Sequence, residues 1–390
     1  MPYRLNRPTV STTDVLRPTH LRVSLATLSD NLASIQRAVG QGVRVMPILK
    51  SNAYGHGLVP VARKLASAGA HMFGVAYLEE ALLLRRAGID TPILVLGGIV
   101  GHQIPVFIEY GLTLTASSID KLLAIEQAAA MMGARASVHL KIDTGMERIG
   151  THWYSATPLL EASLQCRHVD VGGIYSHFAN SDADDLTHAR LQLERFSEVL
   201  AFYPQHNLPM PCRHIANSGG ILQLPESHLD MVRPGILLYG VSPLASRTST
   251  VPVRPALCWQ SRVVYFKVVK AGNPVSYGST WAPTENTRVV TVPVGYGDGY
   301  FRALSGKAQV QIGGKRYPVV GRICMDQLMV DIGEDSAHNG DEVILLGEGG
   351  PHPDELADWA GTIAYEVLTN INTRVPRVYV DAVSPDATTG

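Results

Sequence analysis

Between about residues 20 and 240, short apolar runs alternate with stretches of helical periodicity, and this alternation limits the possible folds more than any other feature of the chain. Leu25, Leu28, Leu32 and Ile35 stand at helical spacing. After a glycine-containing break, Val43–Leu49 is too short for a typical helix and rich enough in branched residues to read as a buried strand. Further strand candidates are Met72–Ala76, Pro92–Leu96, Leu112–Thr115, Ser137–Ile142, Val169–Tyr175, Cys212–Ala216 and Val232–Tyr239. Helix-like segments such as Lys121–Met132 and Leu186–Leu200 fall between them; in the second, Leu186, Ala189, Leu193, Phe196 and Leu200 share a face. Parallel strands need crossovers of this kind, and eight of them point to an α/β fold of the (β/α)8 TIM-barrel type rather than an open sheet.

The texture changes after about residue 245. Ser242–Pro255 is dominated by Pro, Ser and Thr and reads as a linker. Short strand candidates follow at Val263–Val269, Arg288–Val294, Ala308–Ile312, Tyr317–Val320, Leu328–Ile332 and Glu342–Leu346, with helical patterning only from Pro353 to Leu368. The expectation is a barrel domain over residues 1–245 and a mainly β C-terminal domain over 246–390, with the first ~12 residues packing on the latter.

At 46% hydrophobic and 17% charged, with a net charge of −1, the composition is that of a globular protein without the basic balance expected of a nucleic-acid or membrane-surface binder. No apolar run has the length of a transmembrane helix, and no apolar stretch follows the basic N-terminus as in a secretory signal. Cys166, Cys212, Cys258 and Cys324 are spaced too irregularly for a zinc site or a disulfide framework; free thiols in a reducing cytosol are expected, and no metal.

In a barrel the active site gathers at the C-terminal ends of the strands. Lys50 ends the first apolar run, Arg148 follows Val138–Gly145, and His177 ends Val171–Ser176. Asn217-Ser218-Gly219-Gly220 follows His214, and Arg233 opens Pro234–Tyr239. A lysine at a strand end can snorkel to solvent. Partly desolvated, it becomes a nucleophile toward aldehydes. Position alone leaves both readings open.

The segment Lys50-Ser51-Asn52-Ala53-Tyr54-Gly55-His56-Gly57 resembles the cofactor-lysine motif of bacterial alanine racemases, barrel-type enzymes that use pyridoxal 5′-phosphate. Further motifs follow in that family's order: Lys141–Gly150, Ile174–Ala179, Asn217-Ser218, Arg233–Ile236, Val275–Gly278, Gly295–Gly299, Gly321–Asp326 and Ile363–Val367. The resemblance covers about residues 15 to 380.

It implies a homodimer with active sites shared between subunits, racemising alanine by two opposed bases. Lys50 would hold the cofactor as a Schiff base and move the α-proton on one face; Tyr277, from the partner subunit's second domain, would serve the other. Arg233 would donate to the pyridine nitrogen, where many such enzymes place a carboxylate. A guanidinium cannot protonate that nitrogen, which favours quick reprotonation over transamination. His177 would brace Arg233. Tyr54, Asn217, Ser218, Gly235, Ile236 and Tyr365 complete the implied cofactor site; Arg148, Met325, Asp326 and Tyr296 face the substrate; Lys141 is a position for carbamylation.

The same scaffold could serve a broad-specificity or serine-preferring racemase. A barrel-type decarboxylase is disfavoured by Arg233 and Tyr277, and a lone-barrel cofactor-binding protein by the C-terminal domain. Two departures from the family pattern, Gly297 after Tyr296 and Ser181-Asp182 after His177, predict looser local packing and weaken the case for strict alanine specificity. The implied role is supply of D-alanine to the bacterial cell wall from the cytoplasm, without nucleic-acid or membrane partners.

Overall fold

The computed structural model describes residues 17–244 and 246–381. The expectation for the first ~12 residues lies outside the described residues. The chain divides into two compact units. One spans Ser24–Ala256 and takes in residues 379–381; the other holds the described residues up to Val23 together with Leu257–Val378.

Eight parallel strands form the first unit's centre: β1 (Arg44–Val45), β2 (Phe73–Val75), β3 (Ile93–Val95), β4 (Leu114–Ala116), β5 (Ala136–Asp143), β6 (Val169–Tyr175), β7 (Cys212–His214) and β8 (Met231–Val232). Ladders or bridges join each to the next: Ile48 pairs with Gly74, Phe73 with Ile93, Leu94 with Thr113, Thr115 with His139, Leu140 with Ile174 and Tyr175 with His214. The Asp230 and Arg233 amides donate to the carbonyls of Arg213 and Ala216, and Met231 and Val232 pair with Arg44 and Val45. The ring of hydrogen bonds is therefore closed, leaving no edge.

Between the strands run amphipathic helices whose starts are readable. Ser24 caps Leu25–Val39 by accepting the Thr27 amide, and Ser118 caps Ile119–Met131 by accepting that of Lys121. Leu28, Leu32 and Ile35 are wholly buried, as their spacing requires.

The expected strand Val232–Tyr239 is corrected. Only Met231–Val232 is strand, and Ile236–Tyr239 forms a 3₁₀ turn with every residue buried. Pro234 has no amide to give a ladder. Full burial made the run apolar, and apolarity does not distinguish a buried turn from a buried strand.

The second unit is built on a nine-stranded sheet in the order Tyr265–Val269, Thr287–Val292, Leu328–Gly333, Lys315–Val320, Gln309–Ile312, Glu342–Leu346, Leu257–Arg262, His20–Ser24, Arg377–Val380. Pairings from the first of these through His20–Ser24 are antiparallel. The expected helix Pro353–Leu368 is two, Pro353–Ala360 and Ala364–Thr369, because Gly361 turns left-handed at φ 75° and ends the first. Among the described residues no helix is long and apolar enough to cross a membrane.

Leu32→Ala should leave a cavity at a site with no exposure and cost about 2–5 kcal/mol in urea unfolding. A loss under about 1 kcal/mol would contradict its placement in the core.

Candidate active site

Strand β1 runs through Pro47-Ile48-Leu49 to Lys50, and there the backbone does something unusual. Ser51, Asn52, Ala53 and Tyr54 all take positive φ, between 51° and 56°. A left-handed turn of four L-residues costs roughly 1–2 kcal/mol per residue, so the surroundings must hold it. Local bonds do part of this. The Ala53 amide donates to the Leu49 carbonyl and that of Gly57 to Asn52, both at 2.8 Å, and Asn52 Oδ1 accepts the Leu58 amide at 2.8 Å. The turn leaves Lys50 half-buried and sends the Tyr54 ring inward, stacked on Tyr239 at 4.8 Å. Burial, reinforced by Arg148 and opposed by Glu80, lowers the Lys50 ammonium's proton affinity.

Arg233 lies directly after β8, only 3% exposed. Its Nη1 donates to His214 Nδ1 at 2.8 Å, and its Nη2 to the carbonyls of Ser176 (2.7 Å) and Ile215 (2.9 Å) and to His177 Nδ1 (3.2 Å). Among the described residues no carboxylate forms an ion pair with it, so the buried structural pair that could have explained this arginine is not found. Burial lowers its pKa to about 10, which still leaves it charged at neutral pH.

This fixed donor sets the tautomers around it. His214 Nδ1 and His177 Nδ1 must accept, so each neutral ring carries its proton on Nε2. His214 Nε2–H then donates across the barrel to His139 Nδ1 at 2.9 Å. Strands β5 and β7 are separated by β6, so this bond crosses the barrel interior. Tyr175 on β6 lies parallel to the His214 ring at 4.8 Å, with Lys141 Nζ 4.5 Å and Arg233 Cζ 5.3 Å from its centroid. Burial, then Arg233, holds His177 and His214 well below the usual histidine range. Burial, then Arg44, lowers His139 to about 3. Lys141 is buried and depressed well below an ordinary lysine, again chiefly by burial and then by Arg233.

Arg148 sits on a loop organised by Asp143. That carboxylate accepts the amides of Gly145, Met146, Glu147 and Arg148. Burial pushes its pKa up, but the four amides outweigh it and hold the carboxyl below its usual range. The Arg148 side chain is exposed.

Asn217 caps the short helix Ser218–Gln223 by accepting the Gly220 amide, and takes a hydrogen bond from Ser181 Oγ at 2.6 Å. Ser218 Oγ accepts the amides of Gly235 (3.0 Å) and Leu237 (3.3 Å). With its amide so used, Gly235 contributes room: a β-carbon there would lie 2.5 Å from Tyr54 Oη. Lys50, Tyr54, Lys141, His177, Asn217, Ser218, Arg233, Gly235 and Ile236 thus belong to one unit and follow or occupy its strand ends, with Arg148 on the loop after β5.

Tyr277, Tyr296, Met325, Asp326 and Tyr365 belong to the other unit. Tyr277 is 72% exposed in a turn where Ser276, Gly278 and Ser279 have positive φ. The turn is pinned by Ser276 Oγ donating to the Arg322 carbonyl at 2.5 Å. The Tyr296 and Gly297 amides donate to the Cys324 and Met325 carbonyls. Tyr365 stands on Ala364–Thr369, and the chain beyond that helix donates from the Asn372 amide to the Asp298 carbonyl.

Neither departure from the family pattern loosens packing. A β-carbon on Gly297 would lie 2.7 Å from Arg374 Nη2, and that guanidinium binds Asp298 at 2.7 Å and Asp326 at 2.8 Å. Ser181 packs so closely on Gly219 that a β-carbon on the glycine would lie 2.6 Å from its carbonyl oxygen.

Sequence reasoning passed over His139, His214, Tyr175, Tyr239 and Glu80 as site residues. The two-residue alternation of His139 and Lys141 on β5 was the available signal, since it places both on one face of the strand.

Barrel, strand-end lysine and buried arginine together define an enzyme of the (β/α)8 class with a C-terminal β domain. Residues 23–243 match the model of the alanine racemase N-terminal domain, and 256–379 that of the C-terminal domain. An alanine racemase of Carboxydothermus hydrogenoformans is 44% identical over 94% of this chain and its own whole length; one of Chlorobaculum tepidum is 44% identical over 92% of this chain and 94% of its own. The crystal structure of alanine racemase from D-cycloserine-producing Streptomyces lavendulae superposes with a TM-score of 0.90 at 38% identity, covering 94% and 98% of the two chains. The chain belongs to the alanine racemase family.

The depressed His139 carries a stability prediction. The unfolded ring titrates near 6.5 and the folded one near 3, so below pH 6.5 the unfolded state takes up the proton first. Stability is retained above 6.5 and lost as pH falls from there toward 3. His139→Gln should be less stable than the parent at pH 8 yet lose stability less steeply between pH 6.5 and 4 in urea titrations. Parallel slopes would contradict a buried, neutral His139.

Proposed function

We propose that the chain interconverts L- and D-alanine with pyridoxal 5′-phosphate as cofactor. The observation that carries this is Arg233, a buried guanidinium whose hydrogen-bond partners are all neutral, on the same strand-end face as a lysine of lowered proton affinity. When bound, the cofactor withdraws electrons from an attached amino acid and so acidifies its α-proton.

The residues present suit that group. Lys50 would hold it covalently. Arg233, locked by His214, His177 and two carbonyls, would donate toward the ring nitrogen; still charged at neutral pH and never an acid there, it would leave that nitrogen unprotonated. Asn217, Ser218, Ile236 and the Tyr54 hydroxyl, whose close approach Gly235 permits, would hold the phosphate, and Tyr365 would close the site from the other domain. Lys50, freed by substrate and carrying an amine of lowered proton affinity, would take or return the α-proton on one face.

Racemisation requires a second proton donor on the opposite face. Tyr277 of the partner subunit would be that group, held out by its strained turn, so the enzyme would be a homodimer with shared sites. Arg148, Met325, Asp326 and Tyr296 would bind the substrate and narrow its entrance. Lys141, buried and lowered in proton affinity, would more readily present the uncharged amine that carbamylation needs: the nitrogen would attack carbon dioxide and lose a proton, and the resulting anion would brace Arg148. The proposed setting is the cytoplasm, and the product D-alanine for peptidoglycan.

Incubated with pyridoxal 5′-phosphate and a panel of L-amino acids, the purified chain should racemise alanine fastest, and borohydride should fix a pyridoxyl group on Lys50. No racemisation, or an adduct mapped to another lysine, would overturn the assignment. Tyr277→Phe should slow the two directions unequally, by about 10²–10⁴-fold in the worse one. Equal and mild losses would remove Tyr277 from the role of base.

A further inference from the structure

Glu80 is the third residue of the helix Leu78–Arg86, the position from which a glutamate commonly reaches back to cap its own helix. One of its oxygens does so: Oε2 accepts the Ala76 amide at 2.7 Å and, more loosely, that of Tyr77 at 3.4 Å. The other does something a cap does not need. Oε1 leaves the helix and accepts the Ser51 amide at 2.7 Å, the first amide of the left-handed turn and the one immediately after Lys50.

Ala76 follows β2 and Ser51 follows β1, so a single carboxylate ties together the ends of two neighbouring strands. None of the local bonds described above engages the turn's first amide, that of Ser51. Glu80 holds its beginning, where the direction of the Lys50 side chain is decided.

We propose, on the functional reading given above, that Glu80 is a positioning residue for Lys50, fixing the entry of the strained turn and keeping a negative charge beside the lysine amine. The charge works against the other influences on Lys50. Burial and Arg148 favour the neutral amine, and Glu80 favours the ammonium. Of the other titratable groups here, His177 is depressed by burial and Arg233, Tyr54 and Tyr239 are raised by burial, and Arg233 is a second cation bonded to His177. Glu80 is therefore the negative charge that opposes Arg148 there. An amine that must take a proton in one direction and return it in the other needs an affinity between the extremes, and this carboxylate supplies the upward part.

The test uses Glu80→Gln, which keeps length and one acceptor but no charge, and Glu80→Ala, which removes both. In the cofactor-loaded dimer, Glu80→Gln should move the acid limb of the pH profile to lower pH in the substrate direction that uses Lys50 as base, leaving the acid limb of the other direction in place. Glu80→Ala should in addition misplace the amine, slowing recapture of pyridoxal 5′-phosphate by stripped protein by about tenfold or more. That recapture, followed by absorbance against pH, should show the same downward shift for Glu80→Gln without any turnover. Lower thermal stability with both midpoints and the recapture rate unchanged would make Glu80 an ordinary helix cap and overturn the proposal. If Glu80→Ala does not fold, the Glu80→Gln midpoints alone decide. A borohydride adduct away from Lys50 in the unsubstituted protein would instead sink the functional reading on which this rests.

Discussion

The arrangement depends on a cation placed where a cation is expensive. A guanidinium 3% exposed in a barrel interior would be intolerable without partners, and a carboxylate would be the usual remedy. Here the partners are two carbonyls and two imidazole nitrogens. That choice propagates. The imidazoles must stay neutral to accept, which fixes their protons on Nε2; His214 can then donate to His139; and the amine of Lys141, beneath the same charge, is pushed toward its neutral form. Burial does most of the lowering, and this one buried charge adds to it at His177, His214, His139 and Lys141.

Strain marks the two places where protons are proposed to move. Four consecutive left-handed residues follow Lys50, and three positive-φ residues surround Tyr277. They lie in different units and share no sequence pattern. What they share is a backbone conformation that L-residues avoid, held by specific hydrogen bonds, and such strain concentrates where a side chain must be aimed.

Much of this was legible in the sequence. Val169–Tyr175 and Glu342–Leu346 begin and end where their patterns predict, because polar and turn residues bracket each apolar run. The eight-strand alternation survived even though β8 proved to be two residues long, since burial rather than strand length produced the apolar signal there. The motifs pointed to Lys50, Arg233 and Tyr277 as residues to consider. They could not show that Arg233 has no carboxylate partner among the described residues, nor that Glu80 reaches Ser51, because those facts depend on contacts across strands far apart in the chain. Gly297 was misjudged for the same reason: the space beside it is filled by Arg374, 77 positions downstream, which no local pattern reveals.

The central claim is that a lysine from one subunit and a tyrosine from its partner act on the same substrate, and a mixing experiment addresses it directly. Lys50→Ala and Tyr277→Ala dimers, each inactive alone, are dissociated, mixed in equal amounts and allowed to reassociate. Half of the resulting dimers are hybrids, and each hybrid holds one site with both intact residues, so about a quarter of the parent activity should return. If both residues of a site came from the same subunit, the hybrid would have no intact site, and activity would remain absent however the variants were mixed.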